Sequence, residues 1–330
     1  MSGLADGFGR RIDYVRLSVT DRCDLRCRYC MPEAMRFLPR AEMLSVDELD
    51  ALAGALVARG VTRIRLTGGE PLVRKGIDEI AERLGRRLGA GLDELTLTTN
   101  GTQLASKAAM LAAAGVRRVN VSLDTIDAAT YAALARRDAL GRVLEGIEAA
   151  RAAGLSVKIN TVALKGLNEE ELPALMEWAH ARGHAISFIE VMPMGEVDEA
   201  RFDQFLPLSV LEERLRARFT LSPSTLRTGG PSRYHHVAET GGTVGLISPL
   251  TDNFCAGCNR IRITATGQLY PCLGGGQRID LRTALRNGGP GALDAALDAA
   301  MIAKPERHDF AIGPDRTRAV AGRHMSVTGG

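Results

Sequence analysis

Between Tyr14 and Val191 the chain repeatedly exchanges one hydrophobic period for another. A short run rich in Val, Leu and Ile, with apolar residues at every second position, gives way to a stretch with a period near 3.6, and the exchange then repeats. The pattern predicts strands over Tyr14–Val19, Arg63–Thr67, Leu95–Thr98, Arg118–Leu123, Ser156–Val162 and Ala185–Val191. It predicts helices from Ser45 to about Arg59, and over Ile77–Leu88, Ser106–Ala114, Arg142–Ala153 and Glu169–Arg182. Ser45 followed three residues later by Glu48 is a capping-box start, and Gly60, Gly115, Gly154 and Gly183 stop their helices. Strands that alternate with helices imply a parallel sheet with right-handed crossovers, an α/β fold.

The strands carry a second constraint. Parallel strands covered on both faces read as continuous apolar runs. These alternate instead. One parity is Val, Leu and Ile. The other supplies Tyr14, Arg16 and Ser18, then Arg63, Arg65 and Thr67, Thr96 and Thr98, Asn120 and Ser122, Lys158 and Asn160. Side chains on a strand alternate faces, so helices cover one face while the other is polar and basic. A closed, fully packed barrel would not accept that lining. The expected architecture is a partial, open (β/α)6 barrel with a wet or ligand-filled lumen.

After Met192-Pro193-Met194-Gly195-Glu196 the period changes. A helix is expected around Ser209–Arg218. Short strands then follow at Tyr234–Ala238, Thr243–Ile247, Arg260–Thr264 and Gln268–Tyr270, reading as a small antiparallel unit, with a last helix over about Leu293–Ala303. The expected division is residues 1–224, the barrel, and 225–330, a small C-terminal α+β unit.

All six cysteines fall into two triplets, Cys23, Cys27, Cys30 and Cys255, Cys258, Cys272. No run is apolar enough to span a bilayer, and Met1-Ser2-Gly3-Leu4-Ala5-Asp6 does not read as a secretory signal, so the expected compartment is the reducing cytoplasm. There, two triplets argue for two metal centres rather than disulfides. The first, C-x3-C-x2-C, gives three thiolates from one short loop. A four-iron cluster wants four ligands, so one iron would keep an open position. Zinc closed by a distant His is the alternative. For the second triplet, C-x2-C-x13-C, spacing leaves zinc with His235 or His236 equally open. His180, His184, His308 and His324 show no ligand spacing and read as surface or structural. The net charge of +3 and an aromatic content of 4% give no footprint for nucleic acid.

The string Arg16-Leu17-Ser18-Val19-Thr20-Asp21-Arg22-Cys23-Asp24-Leu25-Arg26-Cys27-Arg28-Tyr29-Cys30-Met31-Pro32 resembles the signature of the radical S-adenosylmethionine enzymes, and within them the GTP 3′,8-cyclases of molybdenum-cofactor biosynthesis. Phe254-Cys255-Ala256-Gly257-Cys258-Asn259-Arg260-Ile261-Arg262, continuing to Cys272, resembles the second cluster motif of the same family. The resemblance runs from Gly9 to Gly330. It implies a lyase with two [4Fe-4S] clusters, on Cys23, Cys27 and Cys30 and on Cys255, Cys258 and Cys272. It implies S-adenosyl-L-methionine held by Tyr29, Gly69 of Thr67-Gly68-Gly69-Glu70-Pro71, Ser122 and Met192. GTP would be held by Arg16, Arg65, Thr98, Lys158, Arg260, Ile261 and Arg262.

The implied reaction begins with a 5′-deoxyadenosyl radical, which takes hydrogen from C3′ of GTP; C3′ then attacks C8 of guanine. An external electron donor and a downstream cyclic pyranopterin monophosphate synthase are the implied partners, and the chain would act as a monomer or homodimer without nucleic acid or membrane. The Gly329-Gly330 end matches a family tail that reaches into the active site, although Met325-Ser326-Val327-Thr328 lacks the larger apolar residue expected before the glycines. Asp24 and Gly274-Gly275 are milder departures. Two other readings stand beside this one: a peptide-modifying radical S-adenosylmethionine enzyme with an auxiliary cluster, and a zinc-stabilised nucleic-acid-binding module.

Overall fold

The computed structural model describes residues 3–198, 201–310, 312 and 322–329. Its frame is one sheet of strands β1 (Tyr14–Ser18), β2 (Arg63–Thr67), β3 (Glu94–Thr99), β4 (Arg118–Ser122), β5 (Ser156–Ala163) and β6 (Ala185–Glu190), side by side in chain order and all parallel. Helices α1 (Val46–Ala58), α2 (Ile77–Gly85), α3 (Leu104–Ala113), α4 (Ala128–Ala135), α5 (Leu140–Ala152) and α6 (Leu172–Ala181) occupy the crossovers. The Ser45–Glu48 capping box is present in both directions: Glu48 N–H donates to Ser45 Oγ, and Ser45 N–H donates to Glu48 Oε2.

The parity argument holds residue by residue. Val15, Leu17, Ile64, Leu66, Leu97, Val119, Val121, Ile159, Ile186 and Phe188 are fully buried in one apolar core that includes inward-facing residues of all six helices. The opposite parity forms a row across the sheet. Register sets Arg262 beside Arg16, Arg16 beside Arg65, Thr98 beside Asn120, Asn120 beside Lys158, and Ser122 beside Asn160.

The C-terminal part differs from the expected small antiparallel unit. After α7 (Leu208–Arg216), strands β7 (Leu221–Pro223), β8 (Arg233–Val237) and β9 (Gly242–Ile247) form an antiparallel meander, but β9 then pairs in parallel with β6. Strands β10 (Arg260–Ile263), β11 (Gln268–Tyr270) and β12 (Ile279–Asp280) form a second meander, and β10 pairs in parallel with β1 at the other edge. The order is therefore β12-β11-β10-β1-β2-β3-β4-β5-β6-β9-β8-β7, open rather than closed. Two exposed edges of the six-strand core are capped this way, which satisfies backbone groups that an edge leaves unpaired. Helices α8 (Leu281–Asn287) and α9 (Ala292–Ile302) follow, and a single turn, α10 (Met325–Thr328), returns to lie on β1. No helix among the described residues is long and apolar enough to cross a membrane.

Candidate functional site

The polar face of the sheet opens into one cavity. The loop between β1 and α1 brings Cys23, Cys27, Cys30 and Tyr29 to its rim, and the loop before β10 and the turn after β11 bring Cys255, Cys258 and Cys272. Gly69, Ser122, Met192, Arg16, Arg65, Thr98, Lys158, Arg260 and Arg262 line it too. Ile261 does not: it has the other parity, pairs with Val15, and its side chain is 1% exposed within the apolar core. Gly330 lies outside the described residues.

The first cysteine loop is pinned from both sides. Arg26 N–H and Arg28 N–H donate to the carbonyls of Ala135 and Leu134 at the end of α4, while Gly69 N–H and Glu70 N–H donate to those of Thr20 and Arg22. Gly69 is needed for this crossing, since a Cβ there would stand 2.4 Å from the Arg22 carbonyl oxygen. Glu70 is fully buried and its carboxylate accepts from Leu72 N–H, Thr99 Oγ1 and Asn100 N–H, which ties the tip of β2 to that of β3. Burial pushes its carboxyl up to about 7 against those three donors. Asn100 then donates to Asp24 Oδ1 and, at 3.7 Å, to Cys23 Sγ. Tyr29 donates to Asp124 Oδ2 at 2.7 Å, and burial raises the Asp124 carboxyl to about 6.

All six cysteines are unpaired thiols. Among the described residues no three His, Cys, Asp or Glu side chains converge tightly enough to share one metal ion. His235, a proposed zinc ligand, faces Glu212 on α7 instead. Both triplets line the same cavity. Cys258 is set apart from the thiols of the first triplet by its neighbours. Burial pushes Cys23 up to about 12 and Cys30 up to about 11. Burial also raises Cys258, but the neighbouring Arg260 and Lys304 outweigh it and bring that thiol down to about 7.

No carboxylate among the described residues pairs with Arg16, Arg65, Lys158, Arg260 or Arg262. Arg16 is held well below its ordinary range by burial and by Arg262 and Arg65, and Arg262 is brought to about 10 by burial and Arg260. Lys158 is lowered to about 8 by burial, even though it donates to Tyr234 Oη at 2.6 Å. Buried charges without partners are costly, so the lumen is arranged for a multiply charged anion.

Several residues at the site carried no sequence signal. His308 lines the cavity, against the expectation of a surface or structural role, and its backbone N–H serves Cys255. Asn100, Asp124, Thr228 and Ser232 also line it, as ordinary polar residues of loops and strand ends. The tail segment bridges both cysteine loops. Arg323 stacks 4.0 Å from the Tyr270 ring and donates to the Gly275 carbonyl, Ser326 N–H serves Cys30, and Gly329 sits where a Cβ would meet Thr67 at 2.2 Å.

Comparison with known proteins gives the same outline. Residues 17–179 match the Radical SAM superfamily and residues 184–310 match Molybdenum Cofactor Synthesis C. A GTP 3′,8-cyclase of Erythrobacter litoralis (strain HTCC2594) is 65% identical over 330 residues, covering 100% of this chain and 99% of that relative. The chain belongs to the GTP 3′,8-cyclase family. A GTP 3′,8-cyclase of Rhizobium meliloti (strain 1021) is 57% identical, covering 99% of this chain and 94% of that relative. Among solved structures, Streptococcus suis SuiB bound to S-adenosylmethionine superposes with a TM-score of 0.59 at 17% identity, covering 86% of this chain and 67% of that one. Native anSMEcpe with bound AdoMet gives 0.60 at 15% identity, covering 88% and 83%. At such identities the structural likeness speaks for the open α/β barrel alone.

Proposed function

We propose that the chain is a lyase that cyclises GTP to (8S)-3′,8-cyclo-7,8-dihydroguanosine 5′-triphosphate, the first step of molybdenum-cofactor biosynthesis. The observation that carries this is the row of cations, Arg262-Arg16-Arg65 with Lys158 and Arg260, which pair with no carboxylate among the described residues and line one cavity with two separate thiol triplets. Residues 1–224 would hold S-adenosyl-L-methionine and a [4Fe-4S] cluster, and 225–330 a second [4Fe-4S] cluster that receives the substrate.

The residues fit those groups. Cys23, Cys27 and Cys30 would ligate the first cluster, with Asn100 and the Ser326 amide donating to Cys23 and Cys30. Cys255, Cys258 and Cys272 would ligate the second. Bound together, S-adenosylmethionine and the reduced first cluster supply a hydrogen-abstracting radical. Tyr29 is fixed by Asp124, so its ring would offer an oriented face for the adenosine moiety in the cavity that Ser122 and Met192 also line. The Gly69 backbone gives close approach for the methionine part. Arg16, Arg65, Arg260, Arg262 and Lys158 would grip the triphosphate, guanidinium forks bidentately and the ammonium as a point charge; Thr98 adds a hydroxyl whose oxygen has no hydrogen-bond partner among the described residues. The role of Ile261 is confined to its backbone. The cavity walls shield the reacting atoms from water.

An external reductant and a downstream cyclic pyranopterin monophosphate synthase complete the reading, with the cytoplasm as compartment. The test is anaerobic turnover of the reconstituted protein with GTP, S-adenosylmethionine and dithionite. Expected products are 5′-deoxyadenosine and a cyclised nucleotide in equal amount. Deoxyadenosine release that is indifferent to GTP would overturn it.

A further inference from the structure

Lys304 is a lysine whose burial the polypeptide alone does not account for. It follows α9, in Ala303-Lys304-Pro305-Glu306, where a lysine ordinarily reaches for water or caps carbonyls at the helix end. Here it is 3% exposed. Its ammonium donates to the Pro271 carbonyl at 2.8 Å, the Arg260 carbonyl at 3.0 Å and Cys258 Sγ at 3.6 Å. Three donors meet three acceptors, and no carboxylate among the described residues pairs with it. The sulfur is the one acceptor able to carry a full negative charge.

The segment is held there by design of its neighbours. Arg10, itself fixed by Asp6 at 2.6 Å, donates to the Pro305 and Glu306 carbonyls at 2.6 Å and to the Cys255 carbonyl at 2.8 Å. One arginine thus ties the strap that carries Lys304 to the loop that carries the second triplet. Further along the same strap, the His308 amide faces Cys255.

We propose that Lys304 is a positioning residue for the second cluster: its buried ammonium donates to the Cys258 thiolate, holds that corner of the cluster and raises its reduction potential. The inference rests on the reading that the second triplet carries a cluster. The sign follows from charge. One-electron reduction adds negative charge to the cluster, and a fixed cation beside a ligand sulfur favours the reduced form; hydrogen bonds to cluster sulfurs and net charge are the ordinary levers on such potentials. Coupling is reciprocal, so the cluster in turn provides the counter-charge for a lysine that is otherwise buried among neutral acceptors.

The test uses the full chain with Cys23, Cys27 and Cys30 replaced by Ala, so that only the second cluster forms, with Lys304 intact or as Lys304→Met, a neutral side chain of similar length. With Lys304 intact, anaerobic reconstitution is expected to give about four irons per chain. At a fixed applied potential, Lys304→Met is expected to lower the ratio of reduced to oxidised cluster about tenfold, a fall of about 59 mV for one electron, followed by electron paramagnetic resonance. Metal-free Lys304→Met is expected to unfold at the same temperature as its parent or higher. Failure of the Lys304-intact protein to take up iron would overturn the cluster reading and the lysine's role with it. Four irons with an unchanged potential in Lys304→Met would overturn the lysine's role alone. So would a metal-free Lys304→Met chain that no longer folds, because the ammonium would then serve the polypeptide rather than the cluster.

Discussion

Replacing Arg262 by Met should weaken GTP binding and, in the same protein, stabilise the GTP-free state. Both effects come from one geometry. Arg262 on β10 is in register with Arg16 on β1, which is in register with Arg65 on β2, and Arg16 and Arg262 each leave Nε without a partner among the described residues. Adjacent strands lie about 4.8 Å apart, so neighbouring guanidinium charges stand on the order of 6 Å from each other. At an effective dielectric of about 20, two like charges at about 6 Å repel by about 3 kcal/mol, and a wet lumen reduces that to about 1 kcal/mol. Met keeps much of the volume and removes the repulsion, so the thermal midpoint of the GTP-free protein should rise by a few degrees. A charge-assisted hydrogen bond to a phosphate oxygen contributes about 1.5–3 kcal/mol. Its loss corresponds to GTP affinity weaker by about tenfold to 150-fold. Anaerobic titration calorimetry on the reconstituted protein reads the second effect, and thermal unfolding without nucleotide reads the first. Affinity within twofold of the parent, or a lower midpoint without GTP, would refute the argument that these cations wait for an anion.

Three further outcomes follow from the same site. Lys158, at about 8 in the free protein, should be pulled up by the triphosphate, so GTP binding takes up protons near pH 8 and affinity falls as pH rises through that value; binding enthalpies that do not depend on the buffer's ionisation heat at pH 8 would contradict this. Glu70 is raised from 4.5 to about 7, so between those values the folded state holds a proton that the unfolded state has lost, and stability declines with rising pH; Glu70→Gln should remove that decline from the profile of thermal midpoint against pH 4.5–7, and an unchanged profile would sink the assignment. Gly69→Ala places a Cβ against the Arg22 and Asp21 carbonyls at 2.4 and 2.6 Å; overpacking of about 1–3 kcal/mol should lower the midpoint and cost the first triplet its iron while the second keeps its own, as Mössbauer counting would detect.

Much of this was legible in the residues. The β/α alternation located all six parallel strands to within a residue or two, because period and glycine stops are local signals. The cation row was legible for the same reason, since strand parity alone sends Arg16, Arg65 and Lys158 to one face. What the sequence could not convey was pairing across long separations. Thr243–Ile247 and Arg260–Thr264 read as a local antiparallel unit, yet they close opposite edges of the sheet, and nothing in their composition names β6 or β1 as partners. Lys304 was silent because a lysine after a helix normally signals solvent, and Asn100 because one loop asparagine looks like another. Ile261 shows another limit: its motif neighbours line the cavity, while its own side chain faces the core and leaves only its backbone for a ligand.

The pairing of β10 with β1 has a consequence for how the chain is made. β1 is complete at Ser18, but the strand that covers its outer edge begins only at Arg260. During synthesis that edge travels uncovered while the rest of the barrel emerges, and folding has to close a loop of most of the protein's length before it is protected. Conditions that slow elongation should therefore favour sticking of nascent chains along this strand. A truncation before residue 260 would leave the same backbone groups bare for the life of the molecule, however well the six-strand core itself is packed.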